Sequence, residues 1–436
     1  MKGVQPKLKT GYLVFIAAWA LLAYCGLATL WAQGSLIVWR DADGKARFTD
    51  FFVHYNGGLL ARDCLSSKIN IYDPQVQARS QERISASIKP DRPFFLQQPP
   101  YSFALFMPLT FTSPAIAYLV WTVIGCLVLA AALRYLLTHT SLGKFGKSLA
   151  TFSVLAAYPS WLSFAFGQTA FFNFGAIILS LACLQQSVPL AAGLAASLVL
   201  VKIQYAPAIF LLGFLRGGLK FIAGMALGGL ALVLYSVLIV GWDNVIGWPQ
   251  ALFMGETSSA VTGVWPQHMQ NLRGYITLIC GPDHRELANI ATFICFLGGL
   301  ALISFLWWRI RSNGSVSAIN AERQFKWAAA LTLLIMTASS LHTHIYDYVL
   351  IACSCIWLWD LTEMNASKKA VVALRFLILC FPISSWFLAS FLENFQEFYI
   401  QPATVWLLSV ITLAGSIYWK EQTAQSQAPD DLTASS

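Results

Sequence analysis

Long apolar runs recur along the whole chain and restrict the folds that it can adopt. A helix that crosses the hydrocarbon core of a bilayer needs roughly 20 apolar residues. Ten segments reach or approach this length: residues 12–32, 115–137, 149–166, 169–184, 221–240, 288–308, 327–341, 348–359, 371–391 and 403–419. Only 11% of the 436 residues are charged, whereas about 25% are charged in a typical soluble domain. These features predict an all-α integral membrane protein.

One further apolar stretch, residues 189–215, is interrupted by Lys202, Gln204 and Pro207. We interpret it as a broken hairpin that enters the membrane from one side and returns to the same side. When this hairpin counts as two passes, the chain forms a multi-pass bundle with about twelve transmembrane passes.

The positions of lysine and arginine predict the orientation, because these residues are retained in cytoplasmic loops. With twelve passes, most short basic loops fall on the side of Lys2, Lys7 and Lys9, which precede the first span. We therefore expect both termini in the cytoplasm and the protein in the plasma (inner) membrane. The net charge of +8 is then explained by inside loops that face anionic lipid, so it does not indicate a nucleic-acid partner.

Residues 1–420 are predicted to form a single polytopic membrane domain, followed by a disordered cytoplasmic tail at 421–436. Two long loops lie on the extracytoplasmic side: a structured first loop at 34–98 and a second at 241–287. Long loops with structure of their own tend to carry function. We therefore expect an extracytoplasmic active site.

Two features of these loops could be chemical sites or ordinary loop residues. Cys64 and Cys280 both lie outside, and the sequence leaves open whether they form a disulfide. Asp41 and Asp43 form the Asp-x-Asp pattern of metal-dependent, nucleotide-sugar enzymes. The topology places that pattern outside, where nucleotide sugars are not supplied, so we interpret it as a solvated loop.

Residues 48–60 of the first loop are predicted to form a helix that lies in the membrane interface. Thr49 and Asp50 are residue types that can cap such a helix, and Asp50 and His54 share one face because they are four residues apart. Apolar side chains on this helix are expected to enter the lipid: Phe51, Phe52, Tyr55 and Leu59.

An ordered series of short motifs covers most of the chain: Asp50-Phe51 with Tyr55, Tyr72-Asp73-Pro74, Pro99-Pro100, Gly167-Gln168, Lys202 in its apolar hairpin, Gln270-Asn271-Leu272-Arg273-Gly274, and His342 and His344 with Tyr346-Asp347. The series resembles glycosyltransferase family 87. The chain departs from the family pattern at two points. A tyrosine follows the two prolines, at Tyr101, where the family often has one before them, and the proline after the lysine is displaced to Pro207.

The resemblance implies a fold of the GT-C class and a polyprenyl-phosphate sugar as donor, with no cofactor. It implies transfer of a hexose or pentose to an acceptor hydroxyl on the extracytoplasmic face, with inversion at the anomeric carbon. Mannose is the first expectation for the sugar. The acceptor would be a glycolipid, a glycan or a protein, and membrane lipids are the remaining partners.

The reaction needs a base for the acceptor hydroxyl and cations for the departing phosphate. Asp50 is the predicted catalytic base, partly from the resemblance and partly from its interfacial position, and a simple helix-capping role is the alternative. His54 is a candidate substrate-binding residue that could orient Asp50, or else an ordinary interfacial histidine.

Lys202 and Arg273 are the predicted phosphate ligands. A lysine in an apolar hairpin costs roughly 2.5–3.5 kcal/mol at the bilayer centre, so it needs a partner, which the donor phosphate would supply. Snorkelling of Lys202 to the surface and an ordinary interfacial role for Arg273 are the alternatives.

His342, His344 and Asp347 flank a predicted outside turn. The histidines could bind the phosphate, with Asp347 fixing a tautomer, or all three could be simple polar turn residues. A divalent-metal site would need a further ligand, so no metal is predicted. Gln168, Asn271 and Tyr101 complete the predicted substrate-binding set, although Gln168 could instead satisfy backbone freed at a helix break.

Two other functions share the multi-pass pattern. A transporter or flippase of lipid-linked sugars would also have an intramembrane lysine, but the sequence has no internal repeat. A cell-envelope polysaccharide polymerase or ligase would more typically use paired arginines than an acid on the first loop.

Overall fold

The computed structural model describes residues 38–40, 46–84, 95–257, 266–312, 318–363, 369–390 and 401–426. The predicted first span at 12–32 and the Asp41-Ala42-Asp43 pattern lie outside these residues. Within them the chain is helical, apart from a short antiparallel hairpin of β1 (Val38–Arg40) and β2 (Ala46–Phe48). The predicted all-α class is therefore confirmed for the described residues, with this hairpin as an addition.

The α-helices of the described residues are, in chain order, α1 (Asp50–Cys64), α2 (Pro74–Ile84), α3 (Pro100–Phe106), α4 (Pro114–Thr138), α5 (Lys144–Ala156), α6 (Tyr158–Ala165), α7 (Ala170–Gln185), α8 (Pro189–Ser197), α9 (Ala206–Val240), α10 (Trp242–Thr257), α11 (Leu272–Cys280), α12 (Arg285–Ser312), α13 (Ala318–Ser339), α14 (Ala352–Leu361), α15 (Lys369–Ser390) and α16 (Pro402–Ser426). Short 3-10 helices lie at Met107–Phe111, Leu198–Tyr205, Pro266–His268, Pro282–His284 and Ile345–Ile351.

Five helical segments of the described residues are long and apolar enough to cross a membrane: Pro114–Thr138, Pro189–Val240, Pro282–Ile310, Lys369–Phe387 and Pro402–Thr423. A sixth is added if α6 and α7, between which the helix direction bends by 119°, count as one span. These segments support a multi-pass membrane protein, but they do not confirm twelve passes.

The segment Pro189–Val240 is not one straight helix, because its backbone breaks at Lys202 (φ −121°, ψ 78°) and at Gly218 (φ 63°). A Cβ atom placed on Gly217 would lie 2.8 Å from Cβ of Pro189. The chain after Lys202 has therefore returned to the point where α8 began. The predicted broken hairpin is confirmed, and Lys202 lies at its tip.

After Gly218 the chain reverses again and runs beside α8. Backbone atoms meet closely there, since a Cβ atom on Gly224 would lie 2.1 Å from the carbonyl oxygen of Leu190. Only glycine permits this approach. The hairpin is thus packed against a third segment, which fixes the position of its tip.

The predicted span at 149–166 is wrong as a single helix. Helix α5 ends at Ala156, Ala157 is extended (ψ 139°), and α6 restarts with Pro159 in its first turn. A proline is favoured at the start of a helix and disfavoured in its interior, so Pro159 places a boundary inside the apolar run. This break turns α6 toward α1.

The apolar face of helix α1 is packed inside the protein. Its apolar side chains are buried within the protein: Phe51 is 1% exposed, Phe52 1%, Tyr55 4% and Leu59 8%. They pack against α3, the 3-10 turn that follows it, and α4. The expectation that these side chains enter lipid is therefore wrong, because an aromatic helix face is equally suited to a protein core.

The predicted tail at 421–436 begins too early, since α16 continues to Ser426. Glu421 accepts hydrogen bonds at 3.0 Å from the Arg323 guanidinium on α13 with both carboxylate oxygens. This bidentate contact ties the end of α16 to the bundle. Cys64 and Cys280 are both free thiols, so they do not form the disulfide that the sequence left open.

Candidate active site

Asp50 is the first residue of α1, and a tight turn between α6 and α7 lies against it. The backbone N–H of Phe51 donates to the carbonyl of Phe166 at 2.8 Å. Gly167 has a φ of 62°, and a Cβ atom there would lie 2.4 Å from Cβ of Phe51, so the turn requires glycine. The turn directs Gln168 to the acid, and Gln168 Nε2 donates to Asp50 Oδ2.

Asp50 is not a helix cap. The residue at the cap position is Thr49, and its side chain forms no capping hydrogen bond. Burial raises the pKa of the Asp50 carboxyl to about 6, although Lys202 and the Gln168 hydrogen bond oppose the increase. A carboxylate with a pKa near neutrality is better suited to accept a proton than one with the ordinary value.

Lys202 lies between an acid and an aromatic ring. Its Nζ donates to Oδ1 of Asp347, and the ammonium lies 4.6 Å from the centroid of the Tyr346 ring. The Lys202 side chain is 14% exposed and that of Asp347 is 1% exposed. The lysine therefore does not snorkel to the surface, because the protein itself supplies a partner.

Asp347 does not have the predicted role of fixing a histidine tautomer through its carboxylate. One of its oxygens accepts from Lys202, and the other accepts from the backbone N–H of His344 at 3.2 Å. Asp347 thus links the lysine to the turn that carries the histidines. The charges of Asp347 and Lys202 both act on the Asp50 carboxyl, so the three groups lie within electrostatic range of one another.

His342 and His344 face each other, with 3.1 Å between their Nε2 atoms. A hydrogen bond between two ring nitrogens needs one donor and one acceptor, so the pair shares a single Nε2 proton. Burial, and next His342, lower the pKa of His344 well below its usual value. The two rings therefore form one hydrogen-bonded unit close to Lys202.

Every backbone carbonyl from residue 340 to residue 343 accepts one hydrogen bond from another part of the chain. The donors come from the loop after Pro266–His268 and from the hairpin tip: Asn271 Nδ2 to Ser340 at 2.6 Å, an Arg273 guanidinium nitrogen to Leu341 at 2.7 Å, Gln204 Nε2 to His342 at 3.1 Å and the Gln270 N–H to Thr343 at 2.8 Å. The turn that carries the histidines is therefore held rigidly.

These contacts change the interpretation of two predicted substrate-binding residues. Asn271 is fully buried, and its amide also accepts from the Gly274 N–H at 3.0 Å as the cap of α11. Both ends of the amide are thus in use. Arg273 is 9% exposed and is bonded to the turn. Both residues position the histidine turn, and for Asn271 this argues against direct binding of a hydroxyl.

Tyr101 and His54 border the same pocket. The Tyr101 hydroxyl donates to the carbonyl of Leu200 at 2.7 Å and so supports the segment that leads to Lys202. The His54 ring stacks on Phe106 with 4.7 Å between centroids. Burial, and next Lys202, lower the pKa of His54 to about 3, so this histidine is neutral. No hydrogen bond joins it to Asp50 among the described residues.

Three residues at the pocket were not among the predicted site residues. Tyr346 lies under the Lys202 ammonium, Gln204 holds His342, and His268 acts electrostatically on His344. Gln204 could have been identified from the sequence, since it is a polar residue two positions after Lys202 in an apolar stretch. Among the described residues, no group of three or more His, Cys, Asp or Glu is arranged to hold a metal ion.

Comparison with known proteins adds one match. The model of glycosyltransferase family 87 matches residues 95–337, more than half of the chain. The matched part includes Gln168, Lys202 and Arg273, and it ends shortly before His342. No curated protein and no solved structure match the chain.

Proposed function

Because the chain belongs to glycosyltransferase family 87, we propose that this membrane glycosyltransferase moves a sugar from a polyprenyl phosphate to an acceptor hydroxyl, with Asp50 as general base. The observation that carries the proposal is the meeting of Asp50, Lys202 and the His342–His344 pair in one buried pocket, although they are far apart in the chain. A base and a set of phosphate-binding donors are what this transfer requires.

The proposed reaction is a single displacement with inversion at the anomeric carbon. The acceptor oxygen forms a bond to that carbon from the face opposite the phosphate, and the bond to the phosphate oxygen breaks. The acceptor proton moves to the Asp50 carboxylate, and the polyprenyl phosphate leaves with the bonding electrons. Gln168 Nε2 donates to Asp50 and orients the carboxylate for this transfer.

Lys202 stabilises the charge that develops on the departing phosphate. Its ammonium is already held by Asp347 and by the face of Tyr346, so it is oriented before the donor arrives. Preorganised cations of this kind act most strongly where water is excluded. When a phosphate oxygen replaces one of the two rings as the acceptor of the Nε2 proton that joins His342 and His344, the pair supplies a further donor.

The donor sugar and the side of the membrane belong to the same proposal. The motif series favours mannose as the hexose, and the acceptor is a glycolipid, a glycan or a protein. The lysine and arginine pattern favours the extracytoplasmic face of the plasma membrane with both termini inside. Membership of a glycosyltransferase family leaves the transporter interpretation without support.

The direct test is a panel of donors given to the purified enzyme in detergent or nanodiscs. Polyprenyl-phosphate mannose, glucose and a pentose are compared with the matching nucleotide sugars, and the anomeric configuration of the product is read by NMR. We expect transfer or donor hydrolysis with at least one polyprenyl-phosphate sugar and inversion at the anomeric carbon. Turnover with nucleotide sugars alone, or retention of configuration, would contradict the proposal.

A further inference from the structure

A second cavity lies away from the charged residues, in a groove between α5, the segment Ile345–Ile351 with α14, and α15. Its volume is about 280 Å³. The walls are almost wholly apolar, and representative side chains are Leu149, Val154, Ala352, Trp359 and Phe381. The groove is elongated, because α5 lines it over most of its 13 residues, a length of about 20 Å.

Two hydroxyl groups of the lining are bonded to backbone carbonyls of the protein. The Tyr348 hydroxyl donates to the carbonyl of Gln270 at 2.9 Å, and the Ser160 hydroxyl donates to the carbonyl of Val154 at 2.5 Å. Both groups are thus satisfied within the protein. The groove presents hydrocarbon and aromatic surface to its occupant, and this surface suits an apolar chain.

Two segments that line the groove lead along the chain to the active-site residues. Tyr348, in the groove wall, follows Asp347, which holds Lys202. Helix α6 provides a second connection. Pro159 and Ser160, at its start, line the groove. The turn that follows the end of α6 contacts Phe51, which is next to Asp50. A helix of eight residues, such as α6, is about 12 Å long, so the groove begins within one short helix of the acid.

We propose that this groove binds the isoprenoid chain of the lipid-phosphate donor, with the phosphate at Lys202 and the chain along α5. The assignment rests on the proposed function, since it concerns the donor of that reaction. An apolar groove whose walls lead along the chain to a cationic site matches the two halves of a polyprenyl phosphate. Binding energy from the chain, remote from the reacting carbon, then positions the sugar phosphate.

A matched pair of variants on one helix tests this assignment. Ser153 lines the groove, whereas Ser148 lies on α5 outside the lining and is exposed. Ser153→Trp places an indole in the slot, and Ser148→Trp adds the same side chain to the outer surface. Both are assayed with a long-chain donor and with a short-chain analogue that carries the same sugar phosphate.

We expect Ser153→Trp to raise KM for the long-chain donor by about tenfold, because the indole displaces packing contacts between the chain and the groove worth about 1.4 kcal/mol. KM for the short-chain analogue and kcat for both donors should stay at the wild-type values, and Ser148→Trp should resemble the wild type. An equal effect on both chain lengths, or none on either, would overturn the groove assignment while leaving the proposed transfer intact.

Photolabelling of the wild-type enzyme provides a readout that does not depend on turnover or on the folding of a variant. The probe is a sugar-free polyprenyl phosphate with a diazirine on its chain, and the labelled peptides are mapped by mass spectrometry. We expect labels on α5, α14 and α15 that persist in excess phospholipid. Labels confined to other helices, or displacement by phospholipid, would reject the groove. If no donor of the panel is used, the proposed function fails, and labelling still decides the groove.

Discussion

Lys202 and Asp347, 145 residues apart in the chain, form an ion pair in which the lysine side chain is 14% exposed and the carboxylate 1%. The pair joins the tip of the re-entrant hairpin to the turn that carries the two histidines. Removal of one member leaves a charge without its partner in a region with little water, whereas removal of both does not.

We expect Asp347→Asn to lower the free energy of unfolding by about 3–5 kcal/mol, because it leaves the Lys202 ammonium buried and unpaired. The double variant Lys202→Met, Asp347→Leu should recover most of that loss and remain inactive. Thermal or denaturant unfolding in detergent measures both effects.

The control for the ion pair is Asp63→Asn. Asp63 pairs with Arg83 at 2.5 Å, but the arginine side chain is 57% exposed and the acid 28%. Exposed pairs contribute about 0–1 kcal/mol, so this variant should unfold like the wild type. An equal loss in the two asparagine variants would show that burial does not distinguish the pairs.

Asp50→Asn should reduce kcat by about 10²–10⁴-fold, the usual contribution of a positioned general base, without a change in donor affinity. The amide oxygen of asparagine can still accept from Gln168, so the turn against α1 should stay intact. Single-turnover kinetics and donor photolabelling separate the two effects. Near-normal turnover in this variant would remove Asp50 from the mechanism.

The pKa of Asp50 predicts a pH dependence of activity and of stability with opposite signs. Activity needs the carboxylate, so kcat/KM should rise with pH and level off above about 6. Stability behaves differently, because the folded pKa lies above the unfolded value of 3.8. The folded state then holds the proton more tightly, and this contribution is complete below pH 3.8 and is lost as the pH rises through about 6.

It follows that the ionised Asp50 destabilises the folded protein at neutral pH. Asp50→Asn should therefore raise the free energy of unfolding at pH 7.5 by on the order of 1–3 kcal/mol and should have little effect below pH 4. Denaturant titrations of wild type and variant at the two pH values test the sign. A wild type that is more stable than Asp50→Asn at pH 7.5 would contradict the burial of this acid.

Variants of Asn271 distinguish a role in positioning the histidine turn from a role in substrate binding. Asn271→Ser keeps an oxygen that can cap α11 but loses the amide N–H that donates to Ser340, whereas Asn271→Ala loses both contacts. Loss of a cap costs about 0.5–2 kcal/mol, so unfolding should rank wild type, Asn271→Ser and Asn271→Ala in order of decreasing stability. Donor KM should change little in Asn271→Ser, and a large rise would restore a substrate-binding role.

The sequence predicted which residues meet at the pocket better than it predicted their partners. The motif order indicated that Asp50, Gln168, Lys202 and the histidines belong together. The partner of Lys202 was not visible, because an ion pair across 145 residues leaves no local pattern. Asp347 was therefore assigned to a neighbouring histidine, which is closer in the chain.

The fold was predicted least well where one stretch of sequence is compatible with two structures. The aromatic face of α1 suits lipid or a protein core, and only its packing against α3 and α4 distinguishes them. The apolar run at 149–166 satisfied the length criterion, while Pro159 within it determined the helix boundary. In both places, local chemistry outweighed average hydropathy.

Each backbone carbonyl of residues 340–343 accepts a hydrogen bond, and this has a kinetic consequence. Displacement of this turn would break hydrogen bonds from Asn271, Arg273, Gln204 and the Gln270 backbone together, so induced fit by the turn is energetically unfavourable. For the lipid donor that we propose, the histidines would form a fixed template that is approached by lateral diffusion. Association should then follow the fluidity of the surrounding bilayer rather than the internal motions of the enzyme.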